Sequence, residues 1–303
     1  AYELVNITRH PRYIHGKPFA MVFTSRGCPY RCAFCYRGPS GGKRLRFMSV
    51  DRVMEEVSYL HSRFGFEAFD FHDDLFTINR ERVLEICHAF LNRGVRFSWI
   101  CEARVNQVDF ELLKVMKRAG CVGIYFGVES GHPYILEKMN KGITPAQIER
   151  TFSLCRRARI PTVAYFILGT PWDTEESFKT TLQIVKEIKP TVSVFFAARP
   201  FPRTALREAF VQHGMAIPQT YDDYAYFVEG EDNAGTRGET NRYQQQEVMI
   251  RQRCIHATRR ALFYQLKDIL SYPRLIAELI DLYGFRQFVV LARRRLGIFI
   301  KSA

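Results

Sequence analysis

The sequence predicts an α/β fold, a partial (β/α)6 TIM-type barrel with parallel strands, followed by a C-terminal helical region. Two observations lead to this prediction. Six short runs rich in apolar, β-branched and aromatic residues recur along the chain, and amphipathic helical patterns stand between them. Strands that alternate with helices are joined by right-handed crossovers, so they form a parallel sheet. The chain of 303 residues, 47% of them hydrophobic, is long enough to bury the core of such a sheet.

The six runs are predicted to be buried strands, because β-branched and aromatic residues dominate each of them. They are FAMVFTS (19–25), AFDFHDD (68–74), RFSWICEA (96–103), GIYFGVES (123–130), TVAYFILG (162–169) and TVSVFFAA (191–198). A barrel of this type carries its chemistry at the C-terminal ends of the strands. Functional residues are therefore expected directly after each run.

Helices are predicted between these strands. The segments 49–63, 81–93 and 109–119 each place their apolar residues on one face. Two later helices begin at Thr144, which a proline and a capping-box glutamine follow, and at Thr174, which two acids follow. Ser49 and Asp109 stand at the starts of two of the earlier segments.

Three parts of the chain are expected. Residues 1–17 form an N-terminal linker-like segment, 18–213 the barrel, and 214–303 a loop plus the C-terminal helical region. The segment 215–245 is polar and contains glycine, which is typical of a loop, and 246–303 has helical patterns. No apolar run reaches the length of a membrane span, and no signal-peptide pattern opens the chain.

The net charge of +13 is uneven, because residues 251–303 carry eleven Lys and Arg against three Asp and Glu. A basic surface can bind nucleic acid, anionic lipid or an acidic ligand, and a solvated basic face is the simpler interpretation. Of the eight cysteines, three are clustered and five stand in apolar surroundings. This usage is typical of a reducing compartment, so a cytoplasmic location is expected.

The stretch RGCPYRCAFC contains Cys28, Cys32 and Cys35 directly after the first predicted strand. Three thiolates on one loop can hold three irons of a four-iron cluster, which leaves the fourth iron open to bind a reactant. The alternative is a zinc site, which needs a fourth protein ligand. His15 and His61 are candidates for that ligand if the fold brings them close.

The pattern C-x3-C-x-aromatic-C, with Phe34 as the aromatic, resembles the signature of the radical S-adenosylmethionine (SAM) superfamily. FHDDLFTINRERV, GVESG, GTPWDTEESFKTT and ARPFPRTAL resemble its members that carry an N-terminal cobalamin-binding domain, and the resemblance covers roughly residues 18–210. It implies a [4Fe-4S] cluster on Cys28, Cys32 and Cys35, which are then both metal ligands and catalytic. SAM would bind the open iron, and an electron from a donor such as flavodoxin or ferredoxin would cleave it. The resulting 5'-deoxyadenosyl radical would abstract hydrogen from a small-molecule substrate.

The resemblance also implies cofactor-binding residues beside the cysteines and at the later strand ends. They are Phe34, Tyr36, Asp73, Asp74, Arg104, Glu129, Ser130, Ile167, Leu168 and Gly169. The acids after strand two would bind the SAM amine, the arginine its carboxylate, and the glutamate its ribose. Capping, salt-bridge and ordinary strand-end roles remain alternatives for the same residues.

Three further residues or segments have weaker assignments. Arg199 and the segment 200–202 follow the last predicted strand and could close the site. Cys101 is either a barrel-facing thiol or a filler of the core.

By resemblance, the expected reaction is cobalamin-assisted C-methylation, or an oxidative cyclisation or rearrangement, in a biosynthetic pathway. Only 27 residues precede Cys28, so the chain is expected to lack a cobalamin domain or to have been cut from one. One alternative is a methylthiotransferase-type enzyme that modifies RNA. Another is a non-catalytic iron–sulfur or basic nucleic-acid-binding protein. Nucleic acid is not expected as a partner, whereas the basic C-terminal helices could contact a membrane surface.

Overall fold

The computed structural model describes residues 12–14, 16–36, 42, 44–94, 97–220, 223, 246 and 249–261. Its strands are β1 (Arg12–Ile14), β2 (Lys17–Val22), β3 (Ser25–Arg26), β4 (Arg46–Phe47), β5 (Ala68–Phe71), β6 (Ser98–Ala103), β7 (Cys121–Glu129), β8 (Thr162–Leu168) and β9 (Val192–Ala197). Its helices are α1 (Val50–Phe64), α2 (Arg80–Asn92), α3 (Phe110–Arg118), α4 (Pro133–Lys138), α5 (Pro145–Arg157), α6 (Glu175–Ile188) and α7 (Ala205–Gln212). Residues 249–261 are also helical.

Seven strands form one sheet in the order β1-β2-β5-β6-β7-β8-β9. All neighbours from β2 to β9 are parallel, and β1 pairs with β2 in the antiparallel direction. The six predicted strands are β2, β5, β6, β7, β8 and β9. Because they follow each other around the sheet and helices cover one face, the predicted partial (β/α)6 barrel is confirmed.

The two faces of the sheet have different roles, and β6 shows the alternation. Trp99 and Cys101 point to the fully buried core between sheet and helices, whereas Ile100 and Glu102 point to the other face. Cys101 is 1% exposed, and burial raises the pKa of its thiol. The hypothesis that Cys101 faces the barrel interior is therefore wrong, and it is a core residue.

The predicted helix starts are confirmed at the level of individual hydrogen bonds. The side chains of Ser49 and Asp109 accept from the backbone N–H three residues later, at α1 and α3. Thr144 and Gln147 form a complete capping box at α5. Thr174 caps α6 in the same way.

The first predicted strand ends earlier than the pattern suggested. β2 ends at Val22, and Ser25 pairs instead with Phe47 in the two-stranded β3–β4 ribbon. The physical reason is that Thr24 and Ser25 donate both their backbone and hydroxyl hydrogen bonds to the Asp73 carboxylate. These bonds turn the chain out of the sheet.

The predicted boundaries between 1–17, 18–213 and 214–303 remain predictions, because most of the first and last segments lies outside the described residues. The proposed membrane-contacting helices near residue 300 also lie outside them. In the described part of the chain, no helix has the length and apolar character needed to span a membrane.

Candidate active site

A large cavity lies at the C-terminal edge of the parallel strands, where the fold class places chemistry. Its volume is about 1160 Å³, and its walls are the cysteine loop (residues 27–36), the ends of β6 to β9 and the helix 249–261. Sites for one small ligand usually occupy about 300–1,000 Å³. The cavity therefore has room for more than one group.

The β3–β4 ribbon closes the base of the cysteine loop. Arg26 and Arg46 pair at the point where the chain enters and returns from the loop region. Cys28 donates its backbone N–H to the carbonyl oxygen of Gly42, 3.3 Å away. The first cysteine is thus fixed by the ribbon and the return segment together.

Two helices that lie far away in the sequence hold the middle of the loop. Ala33 donates its N–H to the carbonyl oxygen of Met139 after α4 and accepts from the N–H of Leu206 in α7, at 2.8 and 2.9 Å. The Asn140 amide donates to the carbonyl oxygen of Arg31 at 2.8 Å. The loop is therefore a fixed wall of the cavity.

Cys28, Cys32 and Cys35 all line this cavity as thiols. A zinc site needs its ligands about 2.1–2.3 Å from one ion, and the described residues contain no group of three or more His, Cys, Asp or Glu so placed. Of the candidate fourth ligands, His61 bonds to the carbonyl oxygen of Phe66, and His15 lies outside the described residues. The three thiols therefore share one cavity, and His61 does not line it.

Arg104 is a buried charged residue that contacts one of the loop thiols. It is 5% exposed, donates Nη1 to Cys32 Sγ at 3.9 Å, and places its guanidinium 4.0 Å above the Tyr30 ring. Its Nε is buried and has no hydrogen-bond partner among the described residues. Since an unpaired buried donor costs about 1–3 kcal/mol, this atom indicates a missing acceptor. A carboxylate or a cluster sulfide would supply one.

Glu129 and Lys141 form a buried ion pair with a distance of 2.6 Å between Oε1 and Nζ. Gly127 makes room for it, because a Cβ there would lie 2.5 Å from Glu129 Oε1 and 2.7 Å from Lys141 Nζ. The same ammonium lies 5.6 Å from the centre of the Phe34 ring. The strand end, the cysteine loop and the segment after α4 therefore meet at one charged pair. The sequence prediction named Glu129 and Phe34 but missed Lys141.

The two predicted aspartates have different surroundings. Asp73 is 1% exposed, does not line the cavity, and accepts four hydrogen bonds of 2.6 to 3.0 Å from Thr24 and Ser25. Asp74 is exposed, lines the cavity and accepts the N–H of Gly27 at 3.1 Å. Of the two, Asp74 is the one placed to reach a ligand in the cavity.

The structure brings eight of the predicted site residues to the cavity and leaves five outside it. Those that line it are Cys28, Cys32, Phe34, Cys35, Asp74, Arg104, Glu129 and Ile167. Those outside the lining are Tyr36, Asp73, Ser130, Leu168 and Gly169. The ring of Tyr36 contacts Phe201, and Ser130 bonds to Thr181. Arg199 and Phe201, from the segment expected to close the site, do line the cavity.

Glu102 is a cavity residue that the sequence prediction missed. It is the second-last residue of β6, opposite Tyr125 of β7. Burial, together with the nearby charges of Asp70 and Glu129, raises the pKa of its carboxyl to about 7, against a lowering effect of Lys141. The sequence signal that could have identified Glu102 is a single acidic residue in an otherwise apolar strand.

Known proteins resemble this chain in sequence. The model of the radical SAM superfamily matches residues 22–185. An uncharacterized methyltransferase of Pyrococcus horikoshii is 35% identical over 224 residues, which are 74% of this chain and 48% of that protein. An anaerobic magnesium-protoporphyrin IX monomethyl ester cyclase of Cereibacter sphaeroides is 32% identical over 195 residues, which are 63% and 32% of the two chains.

A solved structure shares the fold. It is the radical S-adenosylmethionine methyltransferase TsrM from Kitasatospora setae, determined with cobalamin and a [4Fe-4S] cluster bound. The TM-score is 0.59 at 23% identity, and the match covers 63% of this chain and 36% of TsrM. The chain thus spans about half or less of the length of each protein compared.

Proposed function

Because this chain belongs to the radical SAM superfamily, we propose that Cys28, Cys32 and Cys35 hold a [4Fe-4S] cluster at which SAM is reductively cleaved. When bound, the cluster supplies one electron and SAM supplies the radical that removes a hydrogen atom from a substrate. The observation that carries the proposal is the meeting of three loop thiols and the unpaired Arg104 Nε in one cavity of about 1160 Å³. The thiols suit iron, and the guanidinium suits the carboxylate of SAM.

The other cavity residues would bind and orient SAM. The Glu129 carboxylate is fixed by Lys141, so it can accept hydrogen bonds from ribose hydroxyls without reorganising. Phe34 presents a ring beside the same pair. Asp74 offers a carboxylate next to the first turn of the cysteine loop for the SAM amine. These roles follow the resemblance and are compatible with where each side chain lies.

The reaction class is drawn from the relatives. The methyltransferase and the cyclase support C-methylation or an oxidative cyclisation or rearrangement of a small-molecule substrate. Cobalamin belongs to the proposal because TsrM was solved with it. The reductant would be a flavodoxin or ferredoxin in a reducing cytoplasm.

The proposal is tested by reconstituting the full chain with iron and sulfide without oxygen. Wild type should bind about four irons per chain, and reduction in the presence of SAM should release 5'-deoxyadenosine. Changing Cys28, Cys32 or Cys35 singly to Ala should abolish that release and reduce the iron content. Cys87→Ala is the matched control, because Cys87 is fully buried on the helix side of the sheet.

Two results would contradict the proposal. One is a chain that binds a single zinc ion in place of iron and sulfide. The other is an intact cluster that leaves SAM uncleaved under reduction. Full iron content in the three loop variants would refute the ligand assignment alone.

A further inference from the structure

Arg104 is a buried cation that forms no ion pair with any carboxylate among the described residues. It stands directly after β6, before the short 3-10 turn Val105–Gln107. Gln107 donates its backbone N–H to the Arg104 carbonyl oxygen, and the hydroxyl of Thr151 donates to the carbonyl oxygen of Val105. These bonds fix the backbone of Arg104. Its guanidinium needs other contacts to hold it, because no carboxylate does so.

The ring of Tyr30 provides one such contact. Arg104 Cζ lies 4.0 Å from the centre of the ring, and both residues line the cavity. Arginine packs on aromatic rings through its planar guanidinium, and the attraction is stronger where water is excluded. Because this contact is made with the ring, it leaves N–H groups for acceptors such as Cys32 Sγ, 3.9 Å from Nη1.

Two residues outside the cavity hold the Tyr30 ring in place. Gln107 Nε2 donates to the Tyr30 hydroxyl at 3.1 Å. The hydroxyl of Thr77, which is buried, donates to Gln107 Oε1 at 3.2 Å. Neither Gln107 nor Thr77 lines the cavity. The turn that follows Arg104 therefore fixes, through Gln107, the same tyrosine that contacts the Arg104 guanidinium.

Tyr30 also belongs to the cysteine loop, where it lies between Cys28 and Cys32. The Arg104 side chain is thereby connected to the loop as well as to the strand end. Its Nε has no partner although the atom is buried. A guanidinium that is held before its acceptor arrives is preorganised, so binding does not have to order a long side chain.

We propose that Tyr30 is a positioning residue that holds the Arg104 guanidinium for the carboxylate of SAM, with Gln107 fixing the ring. The arginine then binds that carboxylate through charge-assisted hydrogen bonds. The network thus makes the site selective for a ligand that carries a carboxylate beside its amine. The inference rests on the proposed function, because it takes SAM to be the ligand.

The test compares the affinities of the full chain for SAM and for decarboxylated SAM, which lacks only the carboxylate. The chain carries its cluster and no reductant, and calorimetry gives both dissociation constants. Their ratio measures the preference for the carboxylate, whereas general damage to the loop weakens both ligands. The variants are Tyr30→Leu, Tyr30→Phe and Gln107→Met. Tyr134→Leu is the matched control, because Lys138 Nζ lies 5.3 Å from that ring and neither residue lines the cavity.

Tyr30→Leu should reduce the preference for SAM by about five- to tenfold, because the guanidinium loses the ring. Tyr30→Phe and Gln107→Met each keep the ring and remove the same hydrogen bond, so each should reduce the preference by about two- to threefold. Combining those two changes should cost no more than either alone. The control should keep the wild-type preference. Iron content is measured for each variant; if Tyr30→Leu loses its cluster, an unchanged preference in Gln107→Met overturns the proposal.

Arg104→Met provides the reference for a role that acts through the arginine. Tyr30→Leu added to Arg104→Met should lower the preference no further. A further decrease overturns the proposal, and so does equal weakening of both ligands by Tyr30→Leu alone. If wild type prefers SAM and cleaves it on reduction, and Tyr30→Leu keeps that preference, the inference is wrong and the proposed function stands. If wild type with full iron content binds neither ligand, the proposed function fails together with the inference.

Discussion

Glu102 shows how a single residue can give the cavity a dependence on pH. It is the second-last residue of β6, and the charges of Asp70 and Glu129 raise the pKa of its carboxyl, while the opposing effect of Lys141 is smaller. Tyr165 is half-buried and lines the same cavity, and burial raises the pKa of its phenol. With a pKa of about 7, Glu102 changes its charge in the physiological range.

We predict that Glu102→Gln stabilises the full chain at pH 8 but not at pH 4.5. The folded state raises the pKa of this carboxyl from 4.5 to about 7, so the unfolded chain ionises first as pH rises. The contribution of this carboxyl to the free energy of unfolding is fully present below pH 4.5. It is lost as the pH rises through about 7, and the loss is about 3 kcal/mol in total. Urea unfolding at pH 4.5 and at pH 8 measures the free energy of unfolding of wild type and variant. The variant's gain relative to wild type should be about 2–3 kcal/mol larger at pH 8.

The exposed Glu149→Gln is the control for this experiment, because Glu149 lies on the surface of α5. It should show the same difference from wild type at both pH values. A Glu102→Gln gain that is independent of pH would contradict the raised pKa of this carboxyl. It would point instead to better packing of the amide.

Predictability at this scale depended on whether a residue belongs to a local pattern. Cys28 and its two partners were predictable because their spacing is contained in one loop. Arg104 and Glu129 were predictable from their places directly after strands. Lys141 was not, because its role arises only when α4 brings it 2.6 Å from Glu129. Nothing in MNKGIT distinguishes that lysine from a solvated one.

At the scale of elements, a buried network joins the end of β2 to the segment after β5 and to α2. Asp73 accepts the hydrogen bonds of Thr24 and Ser25. Arg82 of α2, 7% exposed, donates to the Thr24 carbonyl and hydroxyl oxygens at 3.0 and 3.2 Å and to the Met48 carbonyl. Burial lowers the pKa of Arg82 while the charge of Asp73 opposes that effect. The network fixes where the cysteine loop leaves the sheet.

We predict that Asp73→Asn destabilises the chain, whereas Asp74→Asn leaves its stability almost unchanged. The amide at position 73 would turn one acceptor oxygen into a donor that faces other donors, and it would remove the charge opposite Arg82. The loss should be about 3 kcal/mol, which lowers the midpoint of thermal unfolding by several degrees. Asp74 is exposed, so its variant should retain the wild-type midpoint.

SAM binding, measured on the two variants after cluster reconstitution, separates the two roles. Asp74→Asn should weaken it. If Asp73→Asn binds SAM more weakly but keeps wild-type stability, the result would support the predicted contact between Asp73 and the SAM amine.

Elements with strong periodicity were predictable, and short ones were not. The six parallel strands have continuous apolar runs, and Ser49, Asp109 and Thr144 mark helix starts by hydrogen bonds to residues only three positions away. The β3 and β4 strands have two residues each, and α4 has six. Such elements are stabilised by tertiary contacts with the cysteine loop and carry too few residues for a pattern.

At the scale of the whole molecule, the cavity is closed by residues from both ends of the described chain. The cysteine loop forms one wall of the cavity near the start of the barrel. The helix of residues 249–261, here called the C-terminal helix, packs near the end of β8 and forms the opposite wall. Gly169 is the contact point, with a φ of +83° that other residues rarely adopt and with Ile250 filling the space above it. That Gly169 cradles adenine stays a prediction of the resemblance, and the structure shows that this glycine also packs against the helix through Ile250.

We predict that Gly169→Ala loosens the C-terminal helix without unfolding the barrel. The added methyl group collides with Ile250, and the positive φ adds backbone strain. The helix must therefore move away from the end of β8. Hydrogen exchange of the full chain should show faster exchange in residues 249–261 and unchanged exchange in β5 to β8.

The double variant Gly169→Ala/Ile250→Ala separates the two causes. Removing the larger side chain relieves the collision but leaves the backbone strain, so protection of the helix should recover only in part. Ile250→Ala alone loosens the helix by losing buried apolar area, and it sets the level to which recovery is compared. If exchange in β8 rises as much as in the helix, the glycine serves the barrel itself. The position of the C-terminal helix would then not depend specifically on its contact with the end of β8.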